Sequence, residues 1–204
     1  EKNLINYANF LSDNYINVKI ICLSDKGILK KDISKKVKII NLQKKRLLNS
    51  IFLILKIIKK NKPDFLFSSL LHISLLLCFF KKMNFINSKL FIRPSNVVLS
   101  NHKANNSKIN SVIIHLAKFF LRYADLFFCI SVDIKNELKL FKIPTKKIVK
   151  INNAIVDNDF FIKSKKPLKN NKKLKESDYI LSIGRLTEQK NHLIREIRIL
   201  YQEM

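Results

Sequence analysis

Short apolar runs alternate with longer amphipathic stretches along most of this chain. Residues 1–13 are apolar on one helical face and predict a helix, and the apolar runs at 17–23 and 37–42 predict strands. Apolar periodicity over residues 47–60 predicts a second helix, which Pro63 ends. Helices that alternate with short strands rich in Ile and Val indicate a parallel sheet with helices on both faces. The pattern therefore predicts an α/β fold with a doubly wound sheet.

Polar side chains follow two more predicted strands. A strand at residues 62–68 leads into a helix that holds His72, and a strand at residues 89–96 ends in Arg93 and Asn96. Open parallel sheets bind ligands at this carboxyl edge, and guanidinium and amide groups can hold hydroxyls or phosphate. A histidine in an apolar stretch is also typical of a core position, and Arg93 also suits a pair with a neighbouring carboxylate.

A strand, a glycine turn and a helix start follow one another near the end of the sequence. Residues 180–191 read ILSIGRLTEQKN, so an apolar run stops at Gly184 and the cations Arg185 and Lys190 follow. A glycine turn that feeds a helix presents backbone N–H groups and the positive end of the helix dipole, which together favour phosphate. Two cations beside such a turn suit a diphosphate.

This stretch closely resembles the start of the donor-binding domain in family 4 of the retaining, nucleotide-sugar-dependent glycosyltransferases, which have two Rossmann-like domains. Residues 124–155 resemble the family's run ahead of the crossing between those domains: Ala-Asp, an apolar strand, Ser131-Val, a helix and an Ile-Pro turn. The resemblance implies an acceptor-binding Rossmann-like domain at residues 1–161 and the start of a donor domain at 178–204. Between them, residues 162–177 contain seven lysines and only three apolar side chains besides a proline, which is typical of a solvated linker.

The resemblance also implies roles for particular residues. Gly184, Arg185 and Lys190 would hold the donor diphosphate, and no metal or other cofactor is expected because fixed cations take its place. The acceptor would lie against the first domain. Its predicted contacts there are Ser69, His72, Arg93, Ser95, Asn96 and Asn153. Many relatives carry His where this chain has Ser95, so the resemblance assigns no catalytic residue.

Two expectations concern the ends of the chain. In the family a strand with a glycine-rich loop precedes the helix that begins Glu-Lys, and a glutamate pair in the donor domain holds the sugar and the ribose. The resemblance therefore implies a sequence cut at both ends, which lacks one central strand of its sheet. We expect these 204 residues to be inactive alone.

The composition adds a strongly basic character, with 40 Lys and Arg against 15 Asp and Glu and a net charge of +25. Such a charge suits nucleic acid, an anionic membrane or phosphorylated substrates, but lysines spread along a chain also simply solvate its surface. Cys22, Cys78 and Cys129 lie in apolar runs without metal-ligand spacing, which indicates reduced thiols and a cytoplasmic protein. The longest uncharged run, residues 65–80, is too short to span a membrane.

The sequence thus predicts a glycosyltransferase that transfers a sugar from a nucleotide sugar to a glycan or lipid-linked acceptor. The family's acceptors belong to cell-surface polysaccharide, lipopolysaccharide and glycolipid synthesis, and peripheral contact with the inner face of an anionic membrane stays open. The alternative is a basic module that binds nucleic acid or anionic lipid without catalysis. Nucleic acid is the less favoured partner, because no RNP, KH or zinc pattern is present.

Overall fold

Short parallel strands form the framework of the fold. The computed structural model describes residues 2–97, 108–152, 161–162 and 165–166. The strands in these residues are β1 (Lys19–Cys22), β2 (Lys38–Asn41), β3 (Phe65–Ser68), β4 (Lys89–Ile92), β5 (Leu126–Cys129) and β6 (Ile148–Lys150). The helices are α1 (Lys2–Asp13), α2 (Ile51–Asn61), α3 (Leu71–Lys82), α4 (Lys108–Phe120) and α5 (Val132–Leu140). Short 3₁₀ turns at Ile28–Asp32, Leu47–Ser50, Leu121–Tyr123 and Thr145–Lys147 complete the elements.

The described strands form two parallel sheets. β1 pairs with β2, with Lys19 opposite Lys38. The larger sheet has the order β3-β4-β5-β6, and Phe65 lies opposite Lys89 at its start. Each strand reaches the next through a helix or a longer connection, as parallel pairing requires. The predicted α/β fold with parallel strands is confirmed.

Side chains alternate between the two faces of the larger sheet. Leu90, Ile92, Phe127 and Cys129 point to one face, are at most 2% exposed, and belong to the main hydrophobic core. That core includes buried residues of the helices α3, α4 and α5 and the turn after α5. This face therefore buries most of the apolar surface that holds the sheet and these helices together.

The opposite face carries an aromatic row from neighbouring strands. Phe67 of β3 stacks on Phe128 of β5 at 5.9 Å between ring centroids, and Phe91 of β4 meets Phe128 edge-on at 5.8 Å. Tyr7 of α1 contacts Phe67 in a T-shaped arrangement at 5.9 Å. Phe65 and Phe67 remain 58% and 41% exposed. Helices thus lie on both faces of the sheet, as predicted. Among the described residues, α1 covers the aromatic face through its contact with β3, and part of that face stays exposed.

The chain divides into two compact units, residues 1–157 and 158–204. All the strands and helices given above lie in the first unit. In the second, the described residues contribute one backbone hydrogen bond, from the N–H of Lys165 to the carbonyl of Phe161 at 3.3 Å. Most of the predicted linker and all of the predicted donor-domain start lie outside the described residues, so the predicted division into domains stays a prediction.

Candidate functional site

The carboxyl ends of β3 and β4 meet at one edge of the larger sheet. Hydrogen bonds fix this edge: the N–H of Arg93 donates to the carbonyl of Ser68 at 2.9 Å, and the hydroxyls of Ser68 and Ser74 lie 2.9 Å apart. Ser74 also donates to the carbonyl of Leu70, the residue directly before α3, at 3.0 Å. Both serines are buried. The strand end and the first turn of α3 are therefore held in a defined arrangement.

A cavity of about 220 Å³ opens beside these strand ends. Its walls come from the start of α3, the loop after β4, the 3₁₀ turn after α4, and α5. The lining residues are Ser69, Leu70, Leu71, Ser74, Ile92, Pro94, Ser95, Asn96, Leu121, Glu137, Leu138 and Phe141. Most of them are apolar. Ser69, Ser95 and Asn96 add hydroxyl and amide groups, which both donate and accept hydrogen bonds.

Two charged side chains are buried at this edge of the sheet. Arg93, directly after β4, and Glu137, on α5, are each 4% exposed. Arg93 stands between the lining residues Ile92 and Pro94, and Glu137 lines the cavity itself. Fully buried charges are rare in proteins unless they are paired. Among the described lining residues, Glu137 is the only ionisable side chain, so the cavity offers hydrogen bonds and apolar contact but no cation for a phosphate.

The structure brings together three of the six side chains that the sequence predicts for the acceptor. Ser69, Ser95 and Asn96 line the cavity, and Arg93 is buried in the backbone segment beside it. His72 is exposed on α3 and is not among the lining residues. Asn153 and the predicted diphosphate group of Gly184, Arg185 and Lys190 lie outside the described residues. The roles of all these residues stay predictions.

Sequence reasoning did not include Glu137 or Ser74 among the site residues. The signal for Glu137 is its place in α5: with Ile134, Leu138 and Phe141 it forms a stripe at positions i, i+3, i+4 and i+7, the spacing of a buried helix face. All four are buried. A carboxylate on such a stripe is a mark of a polar pocket. For Ser74 the sequence holds no comparable signal, because serine is common in buried helices.

Comparison with known proteins places this arrangement in a family. The family model "Glycosyltransferase Family 4" matches residues 1–158, more than three quarters of the chain. The chain belongs to this family. The match includes the strand ends, the cavity and all of residues 124–155. The stretch around Gly184 lies beyond it, so the start of a donor domain there stays a prediction.

This member of Glycosyltransferase Family 4 is similar in fold to crystal structures of Anabaena Alr3699/HepE. One was solved in complex with UDP and glucose, with 15% sequence identity, and another in complex with UDP-glucose, with 14%. Both have a TM-score of 0.52 and cover 74% of this chain, but only 40% and 39% of Alr3699/HepE. The chain thus spans about 40% of the length of that protein. No curated protein matches the sequence significantly. The predicted Rossmann-like fold is confirmed.

Neither a metal site nor a membrane span is found in the part of the chain that the structure describes. No three His, Cys, Asp or Glu side chains there are grouped so that they could hold a metal ion. None of the described helices combines the length and apolar character that crossing a membrane requires. Whether the reaction needs a metal ion is a separate question, and the expectation that it needs none stays a prediction.

Proposed function

We propose that this protein transfers a sugar from a nucleoside diphosphate sugar to an acceptor, with retention of anomeric configuration, in the synthesis of cell-surface polysaccharide, lipopolysaccharide or glycolipid. The family match over residues 1–158 carries the proposal. The complexes of Alr3699/HepE with UDP, glucose and UDP-glucose support a nucleotide sugar as donor. The protein would act in the cytoplasm and meet a glycan or lipid-linked acceptor at the inner face of the membrane.

The cavity at the ends of β3 and β4 is the proposed acceptor site. Sugar hydroxyls would hydrogen-bond to Ser69, Ser95 and Asn96 at its rim, and its apolar walls would contact the less polar part of the acceptor. Buried Arg93 holds the segment that carries Ser95 and Asn96, through its backbone bond to Ser68. Asn153 is proposed as a further acceptor contact.

The diphosphate leaving group gains negative charge during the transfer, and cations would stabilise that charge. The described residues that line the cavity include no cation. The bond between the anomeric carbon and the diphosphate breaks, its electron pair leaves with the diphosphate, and an acceptor hydroxyl forms the new bond and releases its proton. Arg185 and Lys190, next to the turn at Gly184, are proposed to stabilise the diphosphate. This arrangement needs no divalent ion.

The proposal extends to the strand that the resemblance implies before residue 1. Among the described residues, β1 and β3 each have an edge without a strand partner, and α1 contacts β3 through Tyr7 and Phe67. A parallel strand between β1 and β3 would join the two sheets. Its loop would end at the same carboxyl edge as Ser69 and Asn96.

The proposal is tested in two steps. The reading frame is sequenced on both sides of these residues, and the protein that it encodes is then assayed for sugar transfer. We expect transfer of label from a UDP- or GDP-sugar, with the rate reduced about 100-fold or more by Arg185→Ala. Asn96→Ala is expected to raise the KM for the acceptor and leave the KM for the donor unchanged. Arg195→Ala removes the same charge elsewhere and serves as the control. Unchanged transfer by Arg185→Ala, or an equal loss in Arg195→Ala, would contradict the proposed diphosphate site.

A further inference from the structure

Two neighbouring helices expose a continuous apolar strip. On α4, Val112, Leu116 and Phe119 lie at positions i, i+4 and i+7, so they share one face of the helix. On α3 and directly after it, Phe79 and Met83 are exposed in the same way, and Phe79 packs edge-on against Phe120 of α4 at 5.8 Å. Each of the five exposed side chains keeps between 38% and 57% of its surface in contact with solvent. Contiguous exposure of this kind marks an interaction surface.

Cations lie against this strip. From α3, the ammonium of Lys82 lies 4.1 Å from the ring centroid of Phe119 and 5.9 Å from that of Tyr123. The guanidinium of Arg122 lies 5.6 Å from the ring centroid of Phe119, and Lys118 is exposed one turn earlier. None of the ion pairs among the described residues involves these three cations. α3 and α4 contain no Asp or Glu.

We infer that this surface docks the protein on an anionic membrane. We call it the α3–α4 surface: the apolar residues Phe79, Met83, Val112, Leu116 and Phe119, with the cations Lys82, Lys118 and Arg122. Its two helices would lie in the plane of the interface, with the apolar strip at the level of the acyl chains and the cations among the phosphates. The inference deepens the proposed function, on whose membrane-linked acceptor it rests.

The composition of the surface favours a membrane over other partners. A second copy of the chain would bring the same three cations together across a two-fold interface, and like charges there repel. Nucleic acid would leave the aliphatic centre, Val112 and Leu116, without a partner. An anionic bilayer satisfies both parts, because lipid phosphates attract the cations and hydrocarbon accepts the strip.

Vesicle co-sedimentation of the 204-residue chain tests the inference. The probes are vesicles of phosphatidylcholine alone and vesicles that also contain about 30% phosphatidylglycerol, at the same total lipid, because anionic lipid attracts basic surfaces. We expect binding to the anionic vesicles and little to the neutral ones. The assay contains no nucleotide sugar, so its failure and a failure of sugar transfer are separate results.

Two variants of the surface are compared with matched controls. The first variant removes the three cations of the α3–α4 surface: Lys82→Gln, Lys118→Gln and Arg122→Gln. We expect its binding to anionic vesicles to be weaker by about fivefold for each charge removed. Lys26→Gln with Lys31→Gln and Lys35→Gln removes three exposed charges elsewhere and should weaken it far less. The second variant makes three apolar positions of the surface polar: Val112→Ser, Leu116→Ser and Phe119→Ser. We expect its binding to anionic vesicles to be about tenfold weaker or more. Its control is Ile28→Ser with Leu48→Ser and Phe52→Ser, three more exposed apolar positions.

Circular dichroism and urea unfolding show whether each variant is folded, and only folded variants are compared. Selective loss of binding in the surface variants supports the inference. Three results overturn it: no binding of the wild-type chain to anionic vesicles, equal losses in surface and control variants, or self-association or RNA binding through the same residues without vesicle binding.

Discussion

Asp125 is the residue that ties α3 to the middle of the larger sheet. Its carboxylate accepts a hydrogen bond from the ammonium of Lys81 on α3 and another from the N–H of Leu90 on β4, the latter at 2.6 Å. Lys81 also donates to the carbonyl of Ser88 at 3.0 Å. Burial acts most strongly on the pKa of Asp125 and raises it, but the bonds from Lys81 and Leu90 outweigh burial and hold the pKa below its ordinary value of 3.8.

Replacing this carboxylate is expected to destabilise the fold in a graded way. Asp125→Ala removes the Oδ2 atom that accepts both bonds and should lower the free energy of unfolding by about 1–3 kcal/mol. Asp125→Asn keeps an oxygen for Leu90 and should cost less. Because the folded pKa is depressed, the ionic contribution is complete above the ordinary pKa and is lost as the pH falls through the folded pKa. Urea unfolding at several values from about pH 7 down to about pH 2 measures both effects.

The control is Asp64→Asn, which removes an exposed carboxylate that takes part in none of the ion pairs among the described residues. Its stability should follow that of the wild type throughout the acid range. The wild type should lose more stability between neutral and acid pH than Asp125→Asn does. Equal acid losses in the wild type and Asp125→Asn would show that Asp125 does not carry this contribution.

At the scale of residues, the sequence predicts which polar groups stand at strand ends but not which way they face. Ser69, Ser95 and Asn96 reach one cavity because the strand ends of β3 and β4 are adjacent, which follows from parallel pairing. His72 belongs to the same local sequence, yet the helical turn carries it to the exposed side of α3. The rotation of a helix about its axis is set by its packing partners, and these come from distant parts of the chain.

The helices begin and end where local chemistry predicts. Ser131 caps α5, because its hydroxyl accepts a hydrogen bond from the N–H of Ile134 at 3.3 Å, and serine is a favoured residue at this position. The helix predicted at 47–60 has a 3₁₀ first turn, Leu47–Ser50, and then α2 ends before Pro63. The predicted strands are two to four residues too long, because the sequence pattern does not mark the first and last paired residues.

The residue that caps the C-terminal end of α2 has a backbone conformation that favours glycine. Lys62 has a φ of 42° and lies in the left-handed region, while its N–H donates to the carbonyl of Ile58 at 2.8 Å. Glycine adopts this conformation without the steric cost of a Cβ atom. With only two glycines in the sequence, non-glycine residues occupy several such positions, among them Asn84 and Lys142.

Lys62→Gly is therefore expected to stabilise the protein, by about 0.5–1 kcal/mol. Lys62→Val should destabilise it, because a β-branched side chain tolerates positive φ poorly. Chemical denaturation of the wild type and both variants in the same buffer measures the two changes. Lys60→Gly, inside the last turn of α2, is the control and should be destabilising. A lower stability for Lys62→Gly than for the wild type would contradict the role of the left-handed cap.

At the scale of the whole molecule, the α/β class follows from the sequence, whereas the division into two sheets does not. Apolar runs predict that strands exist, and their connection through helices predicts that they are parallel. Which strands become neighbours depends on pairing between distant segments, for which periodicity holds no information. The order β3-β4-β5-β6 and the separate pair of β1 and β2 are therefore results of the structure alone.

This division predicts unequal stability within one unit of the chain. β4 and β5 are paired on both sides and buried in the main core, whereas β1 and β2 form a two-stranded sheet with half-exposed side chains. A two-stranded sheet has little stability of its own. Amides of Lys19–Cys22 and Lys38–Asn41 should therefore exchange with deuterium about tenfold or more faster than those of Leu90–Ile92 and Phe127–Cys129. Hydrogen exchange followed by mass spectrometry of peptides measures this difference.

The same measurement tests the proposed strand between β1 and β3. If the protein encoded by the complete reading frame contains such a strand, its pairing would protect the open edges of both sheets. Exchange in β1 and β3 should then slow relative to the 204-residue chain, while exchange in β5, which already has two partners, should change little. Equal protection of β1 and β5 in the 204-residue chain itself would contradict the separation of the sheets. It would also remove the structural support for the proposed strand, since no open edge would be left for it to fill.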